Sequence, residues 1–376
     1  MKVVTVTPYF YPKVGGLENY ALEINKGLTE KFNCEISVFT SNHLSQSFLE
    51  EKVGKLTVFR FPTQLKLSNT PINIFWYWQI KKKLKIISPD IMVAHTPVPY
   101  ISDMAGLAAQ SLNIPYIITY QNDLVKNNNF LNLVISLYTN TLGKYTLQKA
   151  QKIIATSEKY AQNSPTLKPF LNKVRIISPG VHQEKLESKK SKLTYILFVG
   201  QLDKTHRHKG LDLLIEALSK VRDTCKELHL VVIGEGDDIE RYKKLASKLS
   251  VSSRVIFKGY VDKQELNTYY ASALCLCLPS TSAAEGFGMV ILEAAMQKTP
   301  SVGSALGGIP VAIAENETGL LVQPGDISQL AQKIEKLYHD GNFTKKLGEN
   351  AYKRVLKNYI WTQKIEQTFR LLNEQQ

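Results

Sequence analysis

The chain is poor in the features that mark secreted, disulfide-stapled or membrane-spanning proteins. Only four of its 376 residues are cysteine, at Cys34, Cys225, Cys275 and Cys277, and their spacings fit neither a zinc site nor a disulfide framework. Reduced thiols in a cytoplasmic protein are therefore expected. No apolar run approaches the ~20 residues that span a bilayer, and the stretch at 271–278 has only the length of a strand. The opening Met1-Lys-Val-Val-Thr-Val-Thr carries one lysine and alternates like a first strand rather than a signal peptide. There is no helix-turn-helix signature and no aromatic-and-basic recognition motif, so nucleic acid is not an expected partner.

Acidic residues are scarce as well: 33 Asp+Glu stand against 47 Lys+Arg, a formal charge of +14. The imbalance is uneven. Residues 1–180 carry 20 basic against 10 acidic side chains, net +10, while 181–376 carry 27 against 23, net +4. Such a basic half suits an anionic membrane surface or a charged substrate, although lysine used only for solubility accounts for it equally well.

What the sequence does have is rhythm and length. At this size two domains are expected. Short β-branched apolar runs at 3–7, 36–40, 56–61, 91–95, 116–120, 153–157 and 174–178 alternate with longer helical stretches. The series restarts at 195–200, 228–234, 255–260, 274–278, 300–304 and 319–322. Two strand–helix series predict two α/β domains, each a parallel sheet with helices on both faces. We place the first at 1–182 and the second at 193–356, joined by Pro179-Gly180-Val181 and a polar Lys/Glu/Ser stretch to Lys192. Residues 357–376 form a last helix, too sparse in apolar positions to be a domain. Ligands of open parallel sheets sit at the carboxyl ends of the strands, so chemistry is expected there.

Three glycine-bearing segments fall at such ends. Gly15-Gly16 precedes a helix, where small residues let backbone approach a ligand and the helix start offers N–H groups to an anion; a plain turn has the same appearance. Gly234-Glu-Gly236 ends a strand and reads as a turn beside a site. The strongest segment is Ser280-Thr-Ser-Ala-Ala-Glu285-Gly286-Phe287-Gly288-Met289-Val290-Ile-Leu-Glu293. Here a helix is predicted from Gly288, presenting the N–H groups of Gly288, Met289 and Val290 to a diphosphate. Glu285 and Glu293 are eight apart, a helical step that returns to nearly one face, so one carboxylate can take sugar hydroxyls and the other ribose hydroxyls. Spacing alone leaves open that Glu285 is a helix cap and Glu293 a solvated helix residue.

This segment resembles the E-x7-E signature of the retaining GT-B glycosyltransferases of family four. The resemblance covers nearly the whole chain in order: Gly15-Gly16, then Val199-Gly200-Gln-Leu-Asp, His208-Lys209-Gly210-Leu-Asp-Leu-Leu-Ile-Glu-Ala, Gly307-Gly308-Ile-Pro310, Thr318-Gly-Leu-Leu-Val-Gln-Pro-Gly-Asp, and Tyr359 with Trp361 near the last helix. It implies a GT-B fold of two facing Rossmann-like domains, the second binding a UDP- or GDP-linked nucleotide sugar, the first a glycan or lipid-linked acceptor, with the last helix crossing back to the first. The activity implied is retaining, metal-independent transfer in cell-surface polysaccharide, glycolipid or protein-glycan assembly. By the same resemblance Lys209 neutralises the leaving diphosphate in place of a metal, Glu285 holds the donor sugar, Glu293 the ribose, and Gly16 lies against phosphate or sugar. No Asp-x-Asp metal motif is present, and no cofactor is expected.

Two positions depart from the family pattern. Gln201 stands where an arginine is usual, and Arg207 in the following loop is a substitute for that charge. Gln121, in Thr119-Tyr-Gln-Asn-Asp123, stands where a histidine beside the transferred sugar is usual; it hydrogen-bonds but does not titrate. Retention survives this if, as the resemblance implies, the leaving phosphate oxygen takes the acceptor proton. His95 and Asp123 are weaker acceptor-side candidates, a structural role being open for each. In the segment 72–87, Ile72, Phe75, Trp76, Ile80, Leu84 and Ile87 form a stripe for packing, and Ile74, Trp78, Lys81, Lys82 and Lys85 an aromatic and cationic face suited to peripheral contact with an anionic membrane, or simply a solvated one. Two other functions remain on this sequence: a nucleotide-sugar epimerase on the same fold, which would need paired carboxylates in the first domain, and a non-catalytic nucleotide-sugar-binding subunit, which the two glutamines would suit.

Overall fold

The computed structural model describes residues 1–13, 15–42, 45–67, 70–96, 98–124, 129–188, 194–282 and 285–374. The chain divides by packing into two units, Met1–Pro179 with Trp361–Gln376, and Gly180–Ile360.

The first unit holds strands β1 (Lys2–Thr7), β2 (Glu35–Asn42), β3 (Leu49–Val53), β4 (Leu56–Pro62), β5 (Leu65–Leu67), β6 (Thr70–Ile72), β7 (Ile91–Thr96), β8 (Tyr116–Tyr120), β9 (Lys152–Ala155) and β10 (Val174–Ile176). Eight of them form one sheet in the order β10-β9-β8-β7-β1-β2-β4-β3, parallel except for β3. The central strands are buried on both faces, which is why they read as near-continuous apolar runs. The chain builds outward from β1 through β2 and β4, then returns beside β1 with β7 and builds the other way, so the strand order reverses between β1 and β7.

The second unit repeats the scheme with β11 (Thr194–Val199), β12 (Leu228–Ile233), β13 (Val255–Gly259), β14 (Cys275–Leu278), β15 (Ser301–Ser304) and β16 (Gly319–Val322). Its sheet is wholly parallel, in the order β13-β12-β11-β14-β15-β16, and reverses between β11 and β14. Helices cover both faces, with Leu211, Leu214, Ile215 and Leu218 packed on one side and Ile291, Leu292 and Ala295 on the other. The four cysteines are buried and unbridged. No described helix is long and apolar enough to cross a membrane.

Several features differ from the sequence-based expectation. The break between units falls at Pro179/Gly180 rather than beyond 182, because the polar stretch that follows is anchored on the second unit: Glu187 N donates to Gln297 Oε1 at 2.8 Å, and Gln297 Nε2 to Lys185 O at 3.1 Å. Its remainder at 189–193, including the second domain's predicted first residue, lies outside the described residues. The aromatic pair near the end is split. Tyr359 belongs to the second unit, its hydroxyl donating to Val311 O at 3.0 Å and its ring 5.7 Å from Phe287. Trp361 belongs to the first, buried against Tyr20 at the head of the helix Trp361–Asn373. That helix packs on the helix Gly16–Phe32, with Phe369 stacked 3.9 Å from Phe32. The antiparallel edge strand β3 and the small hairpin β5–β6 are additional to the predicted strands, and Ile72, placed on the helical stripe, ends β6 instead. Within the helix Trp76–Ile87 the residues Trp76, Ile80 and Leu84 are buried, whereas Phe75, assigned to the packing stripe, sits at the helix start and is exposed. It precedes the first helical turn, and its ring turns toward exposed Trp78, 6.4 Å away between centroids.

Candidate functional site

The carboxyl edge of β11 and β14, where the second sheet reverses, collects the strongest candidates. After β11 the chain enters a short 3-10 turn, Lys204–Lys209, that ends at Gly210 with a positive φ of 78°. A Cβ on Gly210 would lie 2.2 Å from Pro279 O, so only glycine lets this turn close on the end of β14. The backbone seals the contact through Thr281 N, which donates to His208 O at 2.8 Å. Lys209 is thereby laid across Gly200, where a Cβ would meet its Cδ at 2.9 Å, and its Nζ reaches Glu285 Oε2 at 2.8 Å. The side chains of this ion pair are 18% and 10% exposed.

Glu285 is held from behind. Gly308 N donates to Gly286 O at 2.9 Å, and a Cβ on Gly308 would fall 2.3 Å from that same oxygen. The loops after β14 and β15 are therefore interlocked, with Phe287 buried beneath them. Gly288, in the left-handed region at φ 73°, ends the loop and starts the helix Met289–Met296. Ile291 N donates to Gly288 O at 2.8 Å, while the N–H groups of Met289 and Val290 precede every carbonyl of the helix and lie at its start, where an anion is stabilised. Lys209, Glu285 and this helix start thus belong to one set of interlocked loops at the reversal point.

The geometric argument that paired Glu285 with Glu293 is corrected here. Glu285 lies before the helix, with the left-handed Gly288 between them, so no helical step relates the two. Glu293 has its own surroundings: Tyr270 OH donates to Glu293 Oε2 at 2.8 Å and Lys263 Nζ stands 3.7 Å from Oε1. Burial, with the Glu293 charge second, pushes the Tyr270 hydroxyl far above its ordinary pKa and keeps it a donor. Arg207 is not free to serve as a second cation. Its Nη2 donates to Asp238 Oδ1 at 2.7 Å and Nε to the other oxygen, a two-pronged contact that holds the Asp238 carboxyl below its ordinary pKa. Gln201 is exposed at the end of β11. Gly234, at φ 139°, would place a Cβ 1.9 Å from Gly200 O, so it is a packing requirement between strand ends.

In the first unit the candidates gather at the carboxyl edge of β1, β7 and β8. Neither Gly15 nor Gly16 has a positive φ, so the pair is not needed for backbone conformation. Gly15 precedes the helix in extended form, and a Cβ on Gly16 would meet nothing within 4 Å. Gln121 follows β8 with Nε2 buried and without a partner among the described residues. His95 is 2% exposed, edge-on to the Tyr20 ring at 5.9 Å, and burial pushes its pKa down to about 4. Its Nδ1 is buried without a partner among the described residues, and the surroundings suit a neutral core ring. Asp123 also has a structural role, with Oδ1 accepting from Ser164 Oγ at 2.7 Å and Tyr120 OH at 3.0 Å.

Sequence reasoning missed the Lys209–Glu285 and Tyr270–Glu293 contacts. The residues of these pairs are 76 and 23 positions apart, and no local pattern joins them.

Known proteins give the same architecture. Residues 14–185 match Glycosyltransferase Family 4 and residues 182–354 match Glycosyl transferases group 1. An uncharacterized glycosyltransferase of Methanocaldococcus jannaschii is 27% identical over 98% of this chain and 97% of its own length. The O-antigen chain mannosyltransferase C of Escherichia coli is 23% identical over 94% and 93%. Among solved structures, Anabaena Alr3699/HepE in complex with UDP superposes with a TM-score of 0.77 at 17% identity over 100% of both chains, and its complex with UDP-glucose with 0.75 at 18%. The two family matches run without a break from residue 14 to residue 354, and the chain belongs to the family-four glycosyltransferases of GT-B fold.

Proposed function

We propose that this glycosyltransferase moves a sugar from a UDP- or GDP-linked donor to a glycan or lipid-linked acceptor, with retention of anomeric configuration and without a metal. The observation that carries the proposal is the Lys209–Glu285 pair, set among loops that also hold the start of the helix Met289–Met296. One cation beside aligned N–H groups suits a diphosphate, and one carboxylate suits sugar hydroxyls. The UDP and UDP-glucose complexes of the Anabaena structure and the mannosyltransferase name of the E. coli relative support a nucleotide-sugar donor.

In this mechanism the donor diphosphate takes Lys209 from Glu285, and Glu285 turns to the sugar. As the glycosidic bond lengthens, Lys209 and the helix N–H groups stabilise the charge that develops on the leaving phosphate, the principal catalytic contribution. The acceptor hydroxyl attacks from the same face and gives its proton to the departing phosphate oxygen. Gln121, with its unpartnered amide N–H, donates to a sugar oxygen. Glu293 receives the ribose hydroxyls beside Tyr270, and Gly16 leaves room for the phosphates or sugar.

The test is incubation with UDP- and GDP-sugars and a panel of glycan and lipid-linked acceptors, with and without a chelator. Expected are nucleoside diphosphate release, unchanged by the chelator, and a product whose anomeric proton coupling by NMR matches the donor's. An inverted product or chelator-abolished turnover refutes the mechanism. Conversion of one nucleotide sugar into another without transfer would instead indicate an epimerase, and binding without turnover a non-catalytic subunit.

A further inference from the structure

The first unit carries an apolar surface that its own fold leaves uncovered. Leu65, Leu67, Ile74, Phe75 and Trp78 are each more than half exposed, and all fall within the hairpin β5–β6 and the helix start that follows it. The two elements are stitched together. Gln64 N donates to Ile72 O at 2.9 Å, closing the hairpin, and Ile74 N donates to Gln64 Oε1 at 3.1 Å, fixing the helix entry against it. Leu65 and Leu67, two apart on β5, share one face of the ribbon, while Lys66 on the other face reaches back toward the Tyr9 ring. Phe75 and Trp78 lie side by side at 6.4 Å between centroids. Single exposed apolar residues are ordinary, but five together on one short segment mark an interaction surface.

The charges around the surface identify what covers it. Trp78, Lys82 and Lys85 follow one another on the solvent side of the helix Trp76–Ile87, while Trp76, Ile80 and Leu84 face the core. Lys81 and Lys83 are engaged by Tyr77 and Glu50, but exposed Lys82 and Lys85 have no carboxylate partner among the described residues. Aromatic and aliphatic tips flanked by unpaired lysines match an interface of anionic headgroups over acyl chains. A second copy would set the same lysines against themselves, and residues 1–180 are already net +10.

We propose that this hairpin and helix start dock the protein on an anionic lipid surface, Leu65, Leu67, Ile74, Phe75 and Trp78 entering the headgroup boundary while Lys82 and Lys85 meet the lipid phosphates. The inference deepens the transfer reading on which it rests, making the acceptor membrane-borne. It is tested without donor or acceptor, by flotation with vesicles of phosphatidylcholine alone and of phosphatidylcholine with phosphatidylglycerol.

Flotation is expected on the phosphatidylglycerol vesicles and is expected to weaken with added salt. Loss of a lysine near an anionic surface lowers partitioning about fivefold, so Lys82→Ala and Lys85→Ala should each do so. The double variant Phe75→Ser/Trp78→Ser should lower it at least about tenfold, with an unchanged circular dichroism melt because both side chains are exposed. Absence from the floated fraction overturns the proposal, as does flotation that these variants leave intact. So does concentration-dependent self-association that the double variant abolishes, because a second copy would then cover the face. A protein that transfers sugar to a soluble glycan but never floats fails this inference alone; one that floats but turns over no nucleotide sugar fails the transfer reading alone.

Discussion

Replacing Glu285 by glutamine should separate nucleotide binding from sugar transfer. Lys209 Nζ and Glu285 Oε2 are 2.8 Å apart, with side chains 18% and 10% exposed. At that distance and an effective dielectric of about 20 the gross attraction is about 6 kcal/mol. Most of it is offset by withdrawing both ions from water, leaving about 1.5–3 kcal/mol, the usual net worth of a hydrogen bond between charged groups. A diphosphate that recruits Lys209 must displace this contact. If about half of the contact is lost on binding, Glu285→Gln removes a penalty near 1.4 kcal/mol, and a nucleoside diphosphate should bind about tenfold tighter.

Transfer should move the other way. The neutral amide is a weaker acceptor for sugar hydroxyls than the carboxylate, and turnover should fall about 100-fold, the scale seen when one preorganised polar contact is removed. Lys209→Met should lose both, weakening diphosphate binding and lowering kcat by about 100- to 1,000-fold. Isothermal titration with UDP and GDP, beside initial rates of nucleoside diphosphate release, reads both quantities. Unchanged or weaker diphosphate binding by a folded Glu285→Gln protein would refute the competition argument.

Four further outcomes follow from the same geometry. Gly16→Val should leave the melting temperature unchanged, since a Cβ there meets nothing within 4 Å, and should lower donor turnover at least about tenfold by occupying substrate space; normal turnover would remove Gly16 from the site. Gly308→Ala should destabilise by about 1–3 kcal/mol in denaturant titration, because its Cβ would lie 2.3 Å from Gly286 O and 2.8 Å from Phe287 Cα, and a neutral result would contradict the interlocked loops. Arg207→Ala should lower kcat/KM less than about fivefold, its guanidinium being spent on Asp238, and a loss matching that of Lys209→Met would make it a phosphate ligand after all. His95, pushed down to about 4 by burial, binds its proton later than the unfolded chain as pH falls. Its contribution is full above pH 6.5 and is lost toward pH 4, about 3 kcal/mol in all, so urea titrations of His95→Phe across that range should show a flatter acid limb than the parent.

The fold was legible because parallel strands covered on both faces are written as short apolar runs, and every parallel strand of the two sheets falls on one. What escaped was written in polar or exposed residues. Strand β3, Leu49–Val53, is largely solvent-facing and pairs only at an edge, and β5–β6 is a ribbon held mainly by its own hydrogen bonds. The helix from Met289 was also legible, because Gly288 both breaks and starts it. That same glycine defeated the helical-step argument, since a left-handed residue changes the direction of the chain and Glu285 stands on the wrong side of it. Lys209 meets Glu285 only because β11 and β14, three strands apart in sequence, are neighbours where the sheet reverses.

The glycines sharpen the same distinction between what a fold requires and what a ligand requires. Gly210, Gly234 and Gly308 would each drive a Cβ within 2.3 Å of a backbone oxygen, so packing alone explains them. No such reason exists for Gly16, which has ordinary helical neighbours, no positive φ and open space where a side chain would stand. Gly16 is therefore a glycine that the chain's own packing does not explain. It supports reserving that space for a bound molecule.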